Sequence, residues 1–160
     1  MVARALHFGP AMPRISDPLE LLTQQHDEII ALVDALASPN DAERMRAFGE
    51  LADVLPDHLA AEQELLYPMV GHNLAAMVHE ELVAEHLEIK RVLADLLWFG
   101  LDDADSPSRI ASLRALVEGH TAYQEQELFE AAAEHLAPID ITVLGSRLHA
   151  WFVSSVAQAA

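Results

Sequence analysis

Apolar residues recur every three or four positions over four long stretches of the chain, which predicts four amphipathic helices. Asp17 and Pro18 form a helix-start signal, and the Ser-Pro-Asn sequence at 38–40 ends the first stretch. Pro56 is expected to kink or break the second helix. The predicted helices cover about 17–38, 41–67, 73–98 and 106–136.

A fifth and shorter apolar pattern follows at about 140–157. Alternating strand patterns and Asn-Gly or Asp-Gly turns are absent from the sequence. We therefore predict an all-α fold, an up-down-up-down four-helix bundle with an additional C-terminal helix. The prediction divides the chain into an N-terminal arm (1–16) and one domain (17–160) whose core bundle covers 17–136.

Each of the four apolar stripes contains one histidine: His26, His58, His86 and His120. Glu62 lies four residues after His58, so the two side chains share a helix face. A single histidine in such a stripe is more often a hydrogen-bonded core residue than a ligand. Four helices that each bury an imidazole, together with a buried carboxylate, are costly unless one partner satisfies them all. A shared metal site would do so.

The ligand types narrow the choice of metal. The chain has no cysteine, and imidazole with carboxylate suits iron, manganese or zinc. Four histidines with carboxylates exceed what one tetrahedral zinc requires. Two helical hairpins that supply histidines in the same order suggest a pseudo-twofold site for two octahedral ions. A dinuclear iron site fits these observations best.

One series of motifs runs through the four predicted helices: His26, His58-x-x-x-Glu62 followed by Leu-Tyr-Pro, Glu85-His86, and His120 with Glu125. This series resembles the hemerythrin or HHE cation-binding family over about 17–136. The resemblance implies a four-helix bundle around two iron ions with an oxo or hydroxo bridge. Family members reversibly bind O2, sense oxygen or redox state, handle iron, or deal with peroxide and nitric oxide. The implied metal ligands are His26, His58, Glu62, His86, His120 and Glu125.

The fourth helix departs from the family pattern. Gln124 stands where the bacterial pattern has glutamate, whereas Glu125 has the five-residue spacing of the carboxylate in the animal oxygen carriers. We expect Glu125 to bridge the metals with Glu62. Its phase lies about 140° from His120, so a local π-type turn or an extended rotamer would be needed. Gln124 as a terminal ligand is the alternative, and Tyr123 is either a further ligand or a hydrogen-bonding neighbour.

The third helix departs as well, because Lys90 stands four residues after His86, where the oxygen carriers have a second histidine. One iron would then lack a histidine ligand. This favours reaction with peroxide or another small oxidant over simple reversible O2 carriage.

The charge of the chain limits its partners. With 26 acidic and 9 basic residues the formal charge is -17, which disfavours nucleic-acid and anionic membrane surfaces. No run is long and apolar enough to span a bilayer, and the N-terminus lacks the apolar core of a signal peptide. We expect a cytoplasmic protein that is a monomer or a weak homo-oligomer.

Three functional hypotheses follow. The first is a hemerythrin-like non-heme di-iron protein that binds or reacts with O2 or reactive oxygen species, including catalase-like decomposition of hydrogen peroxide. The alternative is an oxygen, nitric-oxide or iron sensor or storage module without turnover. The third hypothesis is a structural bundle with incidental core histidines, and it predicts that the protein binds no stoichiometric metal.

Overall fold

The computed structural model describes residues 17–71 and 76–159, and all regular structure within these ranges is helical. No helix in them is long and apolar enough to cross a membrane. The predicted arm at 1–16 lies outside the described residues. The helices are α1 (Pro18–Ala35), α2 (Asp41–Ala61), α3 (Tyr67–Val70), α4 (Ala76–Phe99), α5 (Ser106–Tyr123), α6 (Phe129–His135) and α7 (Pro138–Ala159).

Local signals set several helix ends. The Asp17 carboxylate accepts a hydrogen bond from the Leu19 N–H at 2.9 Å, as the predicted N-cap should. Asn40 caps α2 in the same way through the N–H of Ala42. Gly100 follows the last residue of α4 with φ +83°, a left-handed conformation that glycine adopts without strain. These residues therefore fix where the bundle helices start and stop.

Two π-helical segments interrupt the long helices. We name them π1 (Glu62–Leu66), which joins α2 to α3, and π2 (Gln124–Leu128), which joins α5 to α6. A π-type turn near Glu125 was one of two alternatives considered from the sequence, whereas the π segment after His58 was not expected. The expected break at Pro56 is wrong, because α2 continues through it.

The long helices pack as a four-membered ring. α1 contacts α2 and α5, and α4 contacts α5 and α2. This arrangement confirms the predicted up-down-up-down bundle. The additional helix α7 packs on α1 and α2, and Trp151 on α7 donates a hydrogen bond from Nε1 to Asp57 at 2.8 Å.

The apolar core is divided into two clusters along the bundle. On α1, Leu22 belongs to one cluster and Ile29 to the other, and His26 lies between them. The same order recurs on the other helices: Leu65, His58 and Leu55; Leu82, His86 and Ile89; Leu128, His120 and Val117. The histidines thus form a buried polar layer between two apolar clusters, sheltered from water on both sides.

The burial of apolar side chains predicts the cost of truncating them. Leu93→Ala should lower the free energy of unfolding by about 2–5 kcal/mol, because Leu93 is 2% exposed in the core. Leu87→Ala on the same helix should cost about 0.5 kcal/mol or less, since Leu87 is 64% exposed. Urea unfolding of the metal-free protein, followed by circular dichroism, measures both. Equal losses would contradict this assignment of the core.

Candidate metal centre

Six polar side chains from the four long helical segments meet in the polar layer. Each is at most 2% exposed to solvent. They are His26 on α1, His58 on α2, Glu62 on π1, His86 on α4, His120 on α5 and Gln124 on π2. The four histidines predicted from their place in the apolar stripes, and the predicted Glu62, are therefore brought together.

Glu62 lies at the centre and turns one oxygen toward each of two imidazole pairs. Its Oε1 is 2.9 Å from Nε2 of His58 and 3.4 Å from Nε2 of His26. Its Oε2 is 3.2 Å from Nε2 of both His86 and His120. We call His26 with His58 the α1–α2 pair, and His86 with His120 the α4–α5 pair. The ring centroids are 4.9 Å apart within each pair.

Several polar atoms of the layer have no hydrogen-bond partner among the described residues. They are both ring nitrogens of His58, Nδ1 of His86 and Oε1 of Gln124. Nε2 of His58 is close to Glu62, but at an angle that does not make a hydrogen bond. Buried polar atoms without partners are costly and call for an explanation. Because one atom from each of His26, His58, Glu62 and His120 lies within 4.8 Å of the others, the residues fit a bound cation.

Tyr67 is a site residue that the sequence analysis missed. It is fully buried, its hydroxyl lies 2.8 Å from Nε2 of His86, and it accepts a hydrogen bond from Nε2 of Gln124 at 2.8 Å. The signal was present in the Leu-Tyr-Pro sequence after Glu62, where π1 adds a residue to the turn. The phenol considered from sequence, Tyr123, is 38% exposed and lies outside this cluster.

Gln124 and Glu125 take different positions. Gln124 is fully buried at the start of π2, just as Glu62 is at the start of π1. Glu125 is 37% exposed, and its Oε1 lies 2.7 Å from Nδ1 of His26, the ring nitrogen that does not face Glu62. Gln124 is therefore the residue of π2 that enters the layer, and Glu125 contacts it from outside.

A second carboxylate also contacts the layer from its outer side. Oε2 of Glu85 lies 3.4 Å from Nδ1 of His120. Glu85 in turn lines a cavity of about 330 Å³ together with Glu81, Leu82 and Tyr123. One imidazole of the α4–α5 pair is therefore one carboxylate away from a surface cavity.

The ionisable groups of the polar layer shift one another's pKa values. Burial raises the pKa of Glu62, but the charge of His58 and hydrogen bonds from His120 and His26 outweigh it and hold the pKa well below its ordinary value. Burial lowers the pKa of His120, whereas Glu62 and Glu85 raise it to about 9. Burial keeps the pKa of His86 below its ordinary value, and burial with the Glu62 charge raises that of the Tyr67 phenol.

These pKa values predict how the metal-free protein responds to pH. A raised folded-state pKa for His120 means that its contribution to stability is complete below pH 6.5 and is lost as pH rises through about 9. The loss should be at most on the order of 3 kcal/mol. Urea unfolding across this pH range tests it. In Glu62→Gln the loss should be smaller, and an equal loss there would contradict the role of Glu62.

Comparisons with known proteins agree with this geometry. Residues 17–132 match the model of the hemerythrin HHE cation binding domain. A protein of Nostoc sp. strain PCC 7120 named DNA nickase is 27% identical over 119 residues, which are 74% of this chain and 34% of the nickase. The chain thus spans about a third of that relative, and no solved structure gave a significant match. Because the family model covers most of the chain and the described fold is a helical bundle with a buried histidine and glutamate cluster, the chain belongs to the hemerythrin HHE cation-binding family.

Proposed function

We propose that the polar layer holds two iron ions and that the protein reacts with O2 or reactive oxygen species, with decomposition of hydrogen peroxide as the favoured activity. The observation that carries the proposal is the geometry of Glu62. One of its oxygens faces the α1–α2 pair and the other faces the α4–α5 pair. A carboxylate placed in this way is suited to bridge two ions, each held by two imidazoles.

The number of donor atoms supports two ions over one. Four imidazoles and a carboxylate exceed the four ligands of a structural zinc. The imidazoles also divide into two groups, because each pair shares its own Glu62 oxygen. The proposed ligands are His26, His58, Glu62, His86 and His120.

The chemistry of the donors supports iron. Imidazole and carboxylate suit iron, and the chain has no thiolate. The Tyr67 hydroxyl lies beside His86, so we add this phenol to the α4–α5 pair as an oxygen ligand. Two irons would supply redox chemistry toward O2 and peroxide that protein side chains lack.

The residues around the layer limit what reaches it. The two apolar clusters exclude bulky molecules and bulk water from either end of the bundle. The cavity beside Glu85 and Tyr123 offers a side approach toward His120 that suits small neutral molecules such as H2O2, O2 or nitric oxide. That Glu125 bridges the metals stays a prediction, and its contact with Nδ1 of His26 favours a different role. If Glu125 is not a ligand, Glu62 is the one carboxylate among the proposed metal ligands.

Hydrogen peroxide is the favoured reactant because its decomposition into water and O2 needs no other reductant or oxidant. The alternative is an oxygen, nitric-oxide or iron sensor or store, in which the same centre binds without turnover. Release of O2 from peroxide separates the two functions. A cytoplasmic location and a monomeric or weakly oligomeric state stay predictions.

The name of the Nostoc relative raises DNA cleavage as another activity for this chain. The matched region covers 34% of that protein, so the nicking activity belongs to a much longer chain. The formal charge of -17 also opposes contact with a phosphate backbone. We therefore do not extend DNA cleavage to this chain.

Metal analysis of the purified protein should find two irons per chain, and the metal-free protein should bind two ferrous ions under anaerobic conditions. After oxidation, the protein should show an absorption band in the visible region that arises from charge transfer between the Tyr67 phenolate and iron. Tyr67→Phe should remove this band, whereas Tyr123→Phe should keep it, because Tyr123 lies outside the cluster. Protein that folds fully yet binds no stoichiometric metal would refute the proposed centre.

The iron-loaded protein should release one O2 for every two H2O2 consumed, as measured with an oxygen electrode. His58→Ala should lower the rate at least about tenfold, because the α1–α2 pair loses a ligand. Glu127→Gln, an exposed change on π2, serves as the control. No O2 release above that of free iron would leave the binding function as the better description.

A further inference from the structure

Two residues that follow α5, Glu125 on π2 and Phe129 on α6, contact His26 from its outer side. Oε1 of Glu125 lies 2.7 Å from its Nδ1, and the Phe129 ring stacks on it with centroids 5.8 Å apart and planes 10° apart. His26 itself is 1% exposed. Because a carboxylate can only accept this hydrogen bond, Nδ1 of His26 must carry the proton. Nε2 faces into the layer, 3.4 Å from Glu62, and offers its lone pair to a metal ion once it has lost its proton.

We propose that Glu125 is a positioning residue for His26, which fixes the tautomer and orientation of the ring so that Nε2 can bind a metal ion. The proposal rests on the function proposed above. A carboxylate that holds the outer nitrogen of a ligating imidazole raises its basicity and orients it. Glu125 thus acts on the metal through His26 and does not bridge the ions.

The position of Gln124 supports this role. π2 turns Gln124 fully into the layer and leaves the next residue, Glu125, 37% exposed at its rim. To reach Glu62 and the layer centre, the Glu125 carboxylate would have to leave Nδ1 of His26. That move would strand a buried N–H without its partner, which is costly.

In each imidazole pair, only one histidine has a carboxylate next to its outer ring nitrogen. In the α4–α5 pair, Glu85 approaches Nδ1 of His120 at 3.4 Å, a longer and weaker contact of the same kind. Nδ1 of His58 and of His86 have no such partner among the described residues. Each pair therefore contains one imidazole whose Nδ1 faces an outer carboxylate and one whose Nδ1 has no such partner among the described residues.

Ferrous iron alone, added anaerobically to the metal-free protein in competition with a chelator, tests the proposal. Glu125→Ala should lower the affinity for one of the two iron ions by about 10–100-fold and leave the affinity for the other near that of wild type. Glu125→Gln should lose less, because its amide oxygen can still accept from Nδ1. Glu127→Gln, with the same charge change two residues away, should bind both ions as wild type does.

A double-mutant cycle separates positioning from direct ligation. If Glu125 acts through His26, Glu125→Ala should cause no further loss of affinity in a His26→Ala background and the full loss in a His120→Ala background. If Glu125 is itself a ligand, the loss should persist in both backgrounds, and the proposal is overturned. Wild-type affinity for both ions in Glu125→Ala would also overturn it.

A readout without metal keeps this proposal distinct from the di-iron function. In ¹H–¹⁵N NMR spectra of the metal-free protein, a hydrogen-bonded Nδ1–H of His26 should be visible in wild type and lost in Glu125→Ala. Circular dichroism should show both proteins folded. A signal that follows this pattern in a protein that binds no iron would refute the di-iron function alone. A His26 ring protonated only at Nε2 would overturn the positioning role.

Discussion

A buried carboxylate surrounded by four imidazoles is the constraint on which the rest of the structure depends. Glu62 is fully buried, and its charge is tolerated because ring nitrogens surround both of its oxygens. The histidines gain from the same arrangement, although His58 keeps two ring nitrogens without hydrogen bonds. The apolar clusters on either side separate the layer from bulk solvent, which strengthens the electrostatic interactions inside it. A cation between the imidazole pairs would give the unpaired ring nitrogens that face it a partner, because their lone pairs could coordinate the ion.

The two π segments let a helix present more than one inward side chain in this layer. In a regular helix, residues four apart share a face, which explains His58 with Glu62 and His120 with Gln124. The hydrogen bonds of a π turn span five residues, so the fifth residue returns to about the same face. Glu62 and Tyr67 are five apart and both face the layer. The segments begin at Glu62 and at Gln124, so the two halves of the bundle use the same local device.

Regular periodicity made the fold and the central histidines predictable from sequence. His26 and His86 lie in uninterrupted helices, where a rotation of 100° per residue places them correctly in the apolar stripe. The same rule fails after residues 62 and 124, because a π turn changes the rotation by an amount that the sequence does not state. Tyr67 was therefore overlooked. Tyr123 lies before the π turn in α5 and was expected to face inward, but its direction is about 60° from that of His120 and its side chain is 38% exposed. The rule put Gln124 in phase with His120, whereas the prediction that Glu125 bridges the metals required a departure from regular periodicity, and its carboxylate contacts Nδ1 of His26.

The glutamine at position 124 and the phenol of Tyr67 account for each other. Gln124 donates a hydrogen bond to the Tyr67 oxygen, so the phenol proton is left to face Nε2 of His86. A glutamate at position 124 would be able only to accept, so it would take the phenol proton as its hydrogen bond and hold Tyr67 in its neutral form. An amide instead favours a phenol oxygen that is free to bind a metal ion. In the proposed di-iron centre, Tyr67 would therefore supply an oxygen ligand in place of the second carboxylate, and Gln124 would hold the phenol in position.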